Sequence, residues 1–171
     1  MNLTPKIVVV EDEQLSREML VRRLAGKGFE IESFSGAQDA IAFLAHNRVD
    51  LVLIDNAMPG ISGVDAVRLL RQQWSHDSLP IIVVSALVDS DDVVEALDAG
   101  ANDYVVKPIN FKVLLARVRT ALRMKHNVAM LVEAERQRVM MQSLARAAAT
   151  TAEPLGAMVD ELETLMQSPP D

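Results

Sequence analysis

Carboxylates, a hydroxyl and an ammonium recur in this chain at one kind of place, the residue after a short run of Val, Ile and Leu. Glu11 and Asp12 follow Ile7-Val8-Val9-Val10, and Asp55 follows Leu51-Val52-Leu53-Ile54. Ser85 follows Ile81-Ile82-Val83-Val84, and Lys107 follows Tyr104-Val105-Val106. Three carboxylates brought together repel one another and need a cation. An oxygen-only donor set with few charges suits Mg²⁺, which keeps several waters and binds through one or two carboxylates plus a phosphate oxygen. A carboxylate free for covalent work can attack phosphorus. Asp55 as nucleophile gives an acyl phosphate, Mg²⁺ and the Lys107 ammonium offset charge on the transferring oxygens, and Ser85 hydrogen-bonds the new phosphoryl group.

The elements that must position these groups are legible up to about residue 123. Short β-branched runs alternate with amphipathic segments, which is the pattern of a parallel α/β sheet. The predicted strands are Lys6 to Val10, Glu30 to Phe34, Leu51 to Ile54, Ile81 to Val84 and Tyr104 to Val106. Three of these are almost entirely Val, Ile and Leu, as befits strands covered by helices on both faces. Leu15, Met19, Leu20 and Leu24 keep helical spacing ahead of Gly26 and Gly28, and Ser35 with Gln38 reads as a capping box. Val64, Val67, Leu70 and Trp74 mark a third helix; a fourth is expected from about Asp91 to Ala99, before Gly100. The fifth starts after Pro108. Right-handed crossovers then give a doubly wound five-stranded parallel sheet, most simply in the order 2-1-3-4-5. In such a sheet ligands bind beyond the carboxyl ends of the strands, where strand order reverses, and that is where the reactive residues fall.

Composition narrows the function. The 171 residues carry a formal charge of -7 and no cysteine, so thiolate chemistry, disulfides and Cys-based metal sites are excluded. The expectation is a soluble, cytoplasmic chain, with neither a signal segment nor the roughly 18 apolar residues of a membrane span. From residue 124 to 171 there are four basic side chains against seven acidic ones, a poor balance for contacting nucleic-acid phosphates. Beyond 123 no strand pattern returns. A long helix is predicted to about 149, followed by a second, amphipathic helix over about 154–167 that presents Leu155, Met158, Val159, Leu162, Leu165 and Met166, with Ser168-Pro169-Pro170 closing it. An apolar stripe of Val128, Leu131 or Val132, Val139 and Leu144, interrupted by Glu135 and Gln142, suits an imperfect coiled coil.

Five motifs taken together resemble the response-regulator receiver family of two-component signalling, over residues 6 to about 123. They are the Glu11-Asp12 pair, Asp55-Asn56-Ala57-Met58-Pro59 with Gly63, Ser85-Ala86, Tyr104, and Lys107-Pro108. The resemblance implies a flavodoxin-like fold, Asp55 as phosphoacceptor, and Mg²⁺ held by Asp12, Asp55 and the Ala57 backbone carbonyl, with Glu11 acting through water. It implies a cis Lys107-Pro108 bond, and a switch in which Ser85 moves toward the phosphoryl group and Tyr104 turns inward. Ala57 and Leu87 stand where this family tunes hydrolysis, and both are apolar, which implies a long-lived phosphorylated state. The phosphodonor would be a sensor histidine kinase or a phosphotransfer protein. The family's winged-helix branch dimerises through a charged face on helices four and five; Arg117 and Asp103 fit that face, whereas Val93 and Val94 are apolar.

Residues 144 to 166, including Glu153-Pro154-Leu155-Gly156-Ala157-Met158, also resemble the first helix of a histidine-kinase dimerisation domain. Ala149 stands where that family has its phosphorylatable His, so phosphotransfer from this segment is excluded. The expectation is a receiver over 1–123 and a helical tail over 124–171 that forms a homodimer or binds a partner. Taken singly, each reactive residue has an ordinary explanation as a helix-start acid, turn residue or surface cation. Five motifs in order, each at a strand end, do not. A rival reading from another class is a scaffold whose helical tail binds partners and whose degenerate receiver works without phosphate.

Overall fold

The computed structural model describes residues 4–166, without the side chains of 149, 151–160 and 162–166. Five strands, β1 (Lys6–Val10), β2 (Glu30–Phe34), β3 (Leu51–Asp55), β4 (Ile81–Ser85) and β5 (Asp103–Val106), alternate with five helices. These are α1 (Gln14–Ala25), α2 (Ala37–Leu44), α3 (Gly63–Arg71), α4 (Ser90–Asp98) and α5 (Phe111–Met166). All pairings are parallel and the order is β2-β1-β3-β4-β5, as the alternating pattern predicts.

Side chains alternate across the central strands, so each strand feeds two cores. Val8, Val10, Val52, Ile54, Ile81 and Val83 meet the buried faces of α2 and α3 with Ala96 of α4. Ile7, Val9, Leu51, Leu53, Ile82 and Val84 meet Leu20 and Leu24 of α1 and Leu114 and Val118 of α5. Burial on both sides explains why β1, β3 and β4 have hardly a polar residue before their last position.

Several local details depart from the expected ones. β3 and β4 run one residue further, so Asp55 and Ser85 are the last strand residues rather than the first loop residues. The Ser35 capping box does not form: Gly36 is the N-cap of α2, with no side-chain cap bond. Leu15 and Met19, which keep the helical spacing of α1, stay 74% and 40% exposed, because α1 buries only the Leu20 and Leu24 line. Gly100 ends α4 with φ +109°, a backbone conformation that costs glycine little. Helix α5 is continuous from Phe111 to Met166, so the backbone keeps helical form through Pro154, where a second helix was expected to begin. Proline at that point removes one helical N–H without ending the helix. The amphipathic face expected over 155–166 and the Ser168-Pro169-Pro170 stop lie outside the described side chains and residues. Among the described residues, no helix is long and apolar enough to cross a membrane.

The compact unit built on the sheet extends to Val128, beyond the boundary expected near 123. Lys125 explains the difference, because it donates to the Val49 carbonyl and to Asp50 Oδ1, both at 3.0 Å. Asp50 Oδ2 accepts from the Lys6 amide at 3.0 Å, so one carboxylate ties together the starts of β1 and β3 and the helix α5. Burial disfavours the Asp50 charge, but the Lys6 amide and Lys125 outweigh it and hold the carboxyl below its ordinary value. Asp50→Ala is expected to cost about 1.5–3 kcal/mol in urea unfolding at pH 7, as for hydrogen bonds to a charged group. The depressed pKa makes that stabilisation full above the ordinary value of 3.8 and lost as pH falls through the folded-state value, so the gap between the two proteins should close only below pH 3.8.

Candidate functional site

The register of the sheet brings the reactive residues to one edge. β1 and β3 are neighbours, and Val10 pairs with Ile54, so Glu11 and Asp55 leave adjacent strands at the same level. Glu11 and Asp55 are 2% and 4% exposed, whereas Asp12 is open to solvent. One carboxylate oxygen from each of Glu11, Asp12 and Asp55 lies within 4.8 Å of the others.

Lys107 closes the pocket from the end of β5. Its Nζ donates to Asp55 Oδ2 at 2.8 Å and to Glu11 Oε2 at 2.9 Å, across 52 and 96 residues of sequence. Burial works against the Lys107 charge, yet the two carboxylates prevail and raise its pKa, so it stays an ammonium. Glu11 is pushed the other way. Burial, with Asp55 beside it, raises the Glu11 carboxyl above its ordinary value although Lys107 opposes this. Three carboxylates against one ammonium leave two negative charges uncompensated when all are ionised, and only hard oxygen donors converge there. That donor set fits Mg²⁺.

The loop after β3 is held by its own backbone. The Ala57 amide donates to Asp55 Oδ1 at 3.3 Å, and Asn56 Oδ1 accepts from the Val64 amide at 3.0 Å, fastening the start of α3 to the acceptor loop. A Cβ on Gly63 would collide with the Asp55 carbonyl and stand 2.7 Å from Asn56 Cα, so this close approach requires glycine. Ala57 itself is exposed. Ser85 is fully buried and its Oγ accepts from the Leu87 amide at 3.1 Å. Tyr104 is only 7% exposed and donates its hydroxyl to the Leu87 carbonyl at 2.9 Å, so both residues meet the β4–α4 connection. The Lys107-Pro108 bond is cis, and the Lys107 amide donates to the Ser85 carbonyl at 2.7 Å. Arg117 pairs with Asp103 within the chain at 2.6 Å; Val93 packs against the core and Val94 is 52% exposed.

Arg17 escaped the sequence reading. From the first turns of α1 its Nη1 donates to the carbonyls of Glu11 at 2.6 Å and Asp12 at 3.2 Å, clamping the loop that carries the acidic pair. Its only signal in the sequence is a position one helical turn past that loop, which a surface arginine shares.

A doubly wound parallel sheet that gathers three carboxylates and one lysine at the carboxyl ends of its strands is the architecture of a receiver domain. The response regulator receiver domain matches residues 7–119, and the chain belongs to that family. It is 42% identical over 118 residues to the two-component response regulator PhoP of Pseudomonas aeruginosa, covering 69% of this chain and 52% of the relative. It is 40% identical over 118 residues to the DNA-binding response regulator MtrA of Mycobacterium tuberculosis, covering 69% and 50%. The chain therefore spans about half the length of these curated relatives. Among solved structures, the chemotaxis protein CheY4 of Vibrio cholerae aligns with a TM-score of 0.66 at 26% identity, over 70% of this chain and 99% of that one. A probable two-component response regulator/GGDEF domain protein aligns with a TM-score of 0.68 at 31% identity, over 71% and 50%.

The Arg17 clamp makes a prediction with an informative sign. Removing a positive charge near three carboxylates would by itself tighten Mg²⁺ binding, whereas releasing the loop loosens it. Arg17→Met is expected to weaken Mg²⁺ binding about tenfold by calorimetry, as loss of a supporting contact around a metal site does. Tighter binding would show that only the charge matters.

Proposed function

We propose that the chain is a phosphorylation-activated response regulator that accepts a phosphoryl group on Asp55 and passes the signal on through protein contacts of its helical extension. The observation that carries this reading is the convergence of Glu11, Asp55 and Lys107, with the ammonium within 3 Å of both carboxylates.

In this reading Asp12, Asp55 and the Ala57 carbonyl hold Mg²⁺, and Glu11 does so through water. When bound there, the ion would supply positive charge against the transferring oxygens. An Asp55 carboxylate oxygen attacks phosphorus as the bond to the donor breaks, and the displaced imidazole takes up a proton. Lys107, already bonded to Asp55, stays charged and compensates the added phosphoryl oxygens. Ser85 gives up the Leu87 amide and turns its hydroxyl to the phosphoryl group, while Tyr104, already turned inward against the Leu87 carbonyl rather than awaiting that turn, backs the space behind it. Because both side chains bond to Leu87, the β4–α4 connection receives the change first. The chain acts as a self-modifying signalling module rather than a metabolic enzyme.

The phosphodonor is a sensor histidine kinase or a phosphotransfer protein, and the cytoplasm is the place of action. Relatives such as MtrA are described as DNA-binding, but the match covers only the receiver part of them. Here that part is followed by a helix of acidic balance, which favours protein partners or pairing of two tails over direct contact with DNA. With a small-molecule phosphodonor and Mg²⁺, the wild-type chain is expected to take up one acid-labile phosphoryl group and Asp55→Asn none, measured by intact-protein mass spectrometry. Apolar Ala57 and Leu87 give an attacking water no hydrogen bond, so the label should persist for minutes in the purified protein. Equal labelling of Asp55→Asn would contradict the assignment, and loss of label within seconds would contradict the lifetime.

A further inference from the structure

The part of α5 beyond Val128 has no role in the pocket. Met130, Leu131, Val132, Met140, Met141 and Leu144 are all more than half exposed. In proteins most helical stability comes from packing an apolar face rather than from propensity, and these apolar side chains are uncovered. The stripe expected from the sequence is interrupted by Glu135 and Gln142, and a second register, interrupted by Gln137 and Thr151 instead, runs further along the helix. Placing Ala134, Met141 and Ala148 at heptad position a puts Met130, Gln137 and Leu144 at d. In the sequence the same count continues with Thr151, Leu155, Met158, Leu162 and Leu165 at a and d, Thr151 being the one further polar residue. Val132, Val139, Arg146, Glu153 and Asp160 then fall at f, so the charges of the second half lie at the position furthest from a partner. The pattern lasts about five heptads, longer than the three to four that mark a coiled coil.

We propose that this seam pairs with that of a second copy, parallel and in register. The inference rests on reading the extension as the output element, and it adds the partner, the orientation and the contacting residues. Charge selects the orientation. Glu133 lies at g and Arg138 at the next e, five residues on, which is the spacing at which g and e positions meet across a parallel dimer. Each copy's Glu133 then faces the partner's Arg138. An antiparallel pair centred on the seam would instead set Glu133 beside the partner's Glu161, like charge against like. Within one chain Arg138 pairs with Glu135 at 2.8 Å, both more than half exposed, a bond weak enough to exchange. Ala145 and Ala147 flank the seam without charge, so no repulsive pair opposes the arrangement.

The absence of cysteine permits a direct test on the full chain. L144C is expected to oxidise to a disulfide-linked dimer and R146C to remain monomeric on denaturing gels, because d positions face each other and f positions point apart. By analytical ultracentrifugation, E133R and R138E should each weaken the dimer about tenfold, and the double variant should recover wild-type affinity. A monomeric wild-type chain, equal cross-linking of L144C and R146C, or a double variant weaker than either single one would overturn the proposal. Uptake of label on Asp55, measured on the same preparations, reports on the receiver separately, so failure of the seam and failure of the phosphoacceptor reading are distinguishable.

Discussion

Two carboxylates can be buried at the edge of this sheet because a lysine ammonium lies between them. An unpaired buried charge costs several kcal/mol, and Glu11 and Asp55 are almost without solvent. Lys107 hydrogen-bonds both, which compensates part of that cost and leaves a deficit of positive charge. The raised pKa of Glu11 expresses the deficit: burial and the neighbouring Asp55 favour its neutral form more than the one lysine can oppose. A pocket in this condition suits a hard cation, whose charge would offset that of the carboxylates. The strain of unlike requirements, dry surroundings and like charges, is concentrated where the chemistry is proposed to occur.

Everything around the pocket keeps those charges in place. Parallel pairing of β1 with β3 sets Glu11 and Asp55 level, and the two apolar cores beneath hold the strands in register. Arg17 fixes the loop after β1, Asn56 and Gly63 fix the loop after β3, and the Lys107 amide ties β5 to Ser85. The connection after β4 is the exception, since Leu87 is held by one hydroxyl at its amide and another at its carbonyl. In the proposed function this connection is where a local change of charge would act, through the Ser85 hydroxyl.

Period-two and period-3.6 patterns made most of this fold legible. β1 and β2 fall where the sequence puts them, and the strand order follows from right-handed crossovers alone. The groups brought to the pocket were legible because each directly follows an apolar run, and a parallel sheet sends all such positions to one edge. What stayed hidden depends on three-dimensional neighbours. Arg17 acts through backbone carbonyls, which leave no mark on the sequence. Leu15 and Met19 keep core spacing on α1 but lie past the part of the helix that the sheet covers. Gly36 displaced Ser35 as the cap of α2, although the capping residues were in order. Lys125 extended the compact unit through a contact 75 residues away.

In the proposed function the carboxylates and Lys107 form one pocket that takes a divalent cation and a phosphoryl group together. Fluorine NMR of the chain with beryllofluoride tests it directly, because that anion stands in for the phosphoryl group. Bound fluorine resonances are expected that require Mg²⁺ and vanish in Asp55→Asn. Resonances that persist without Mg²⁺, or that survive the loss of Asp55, would contradict it.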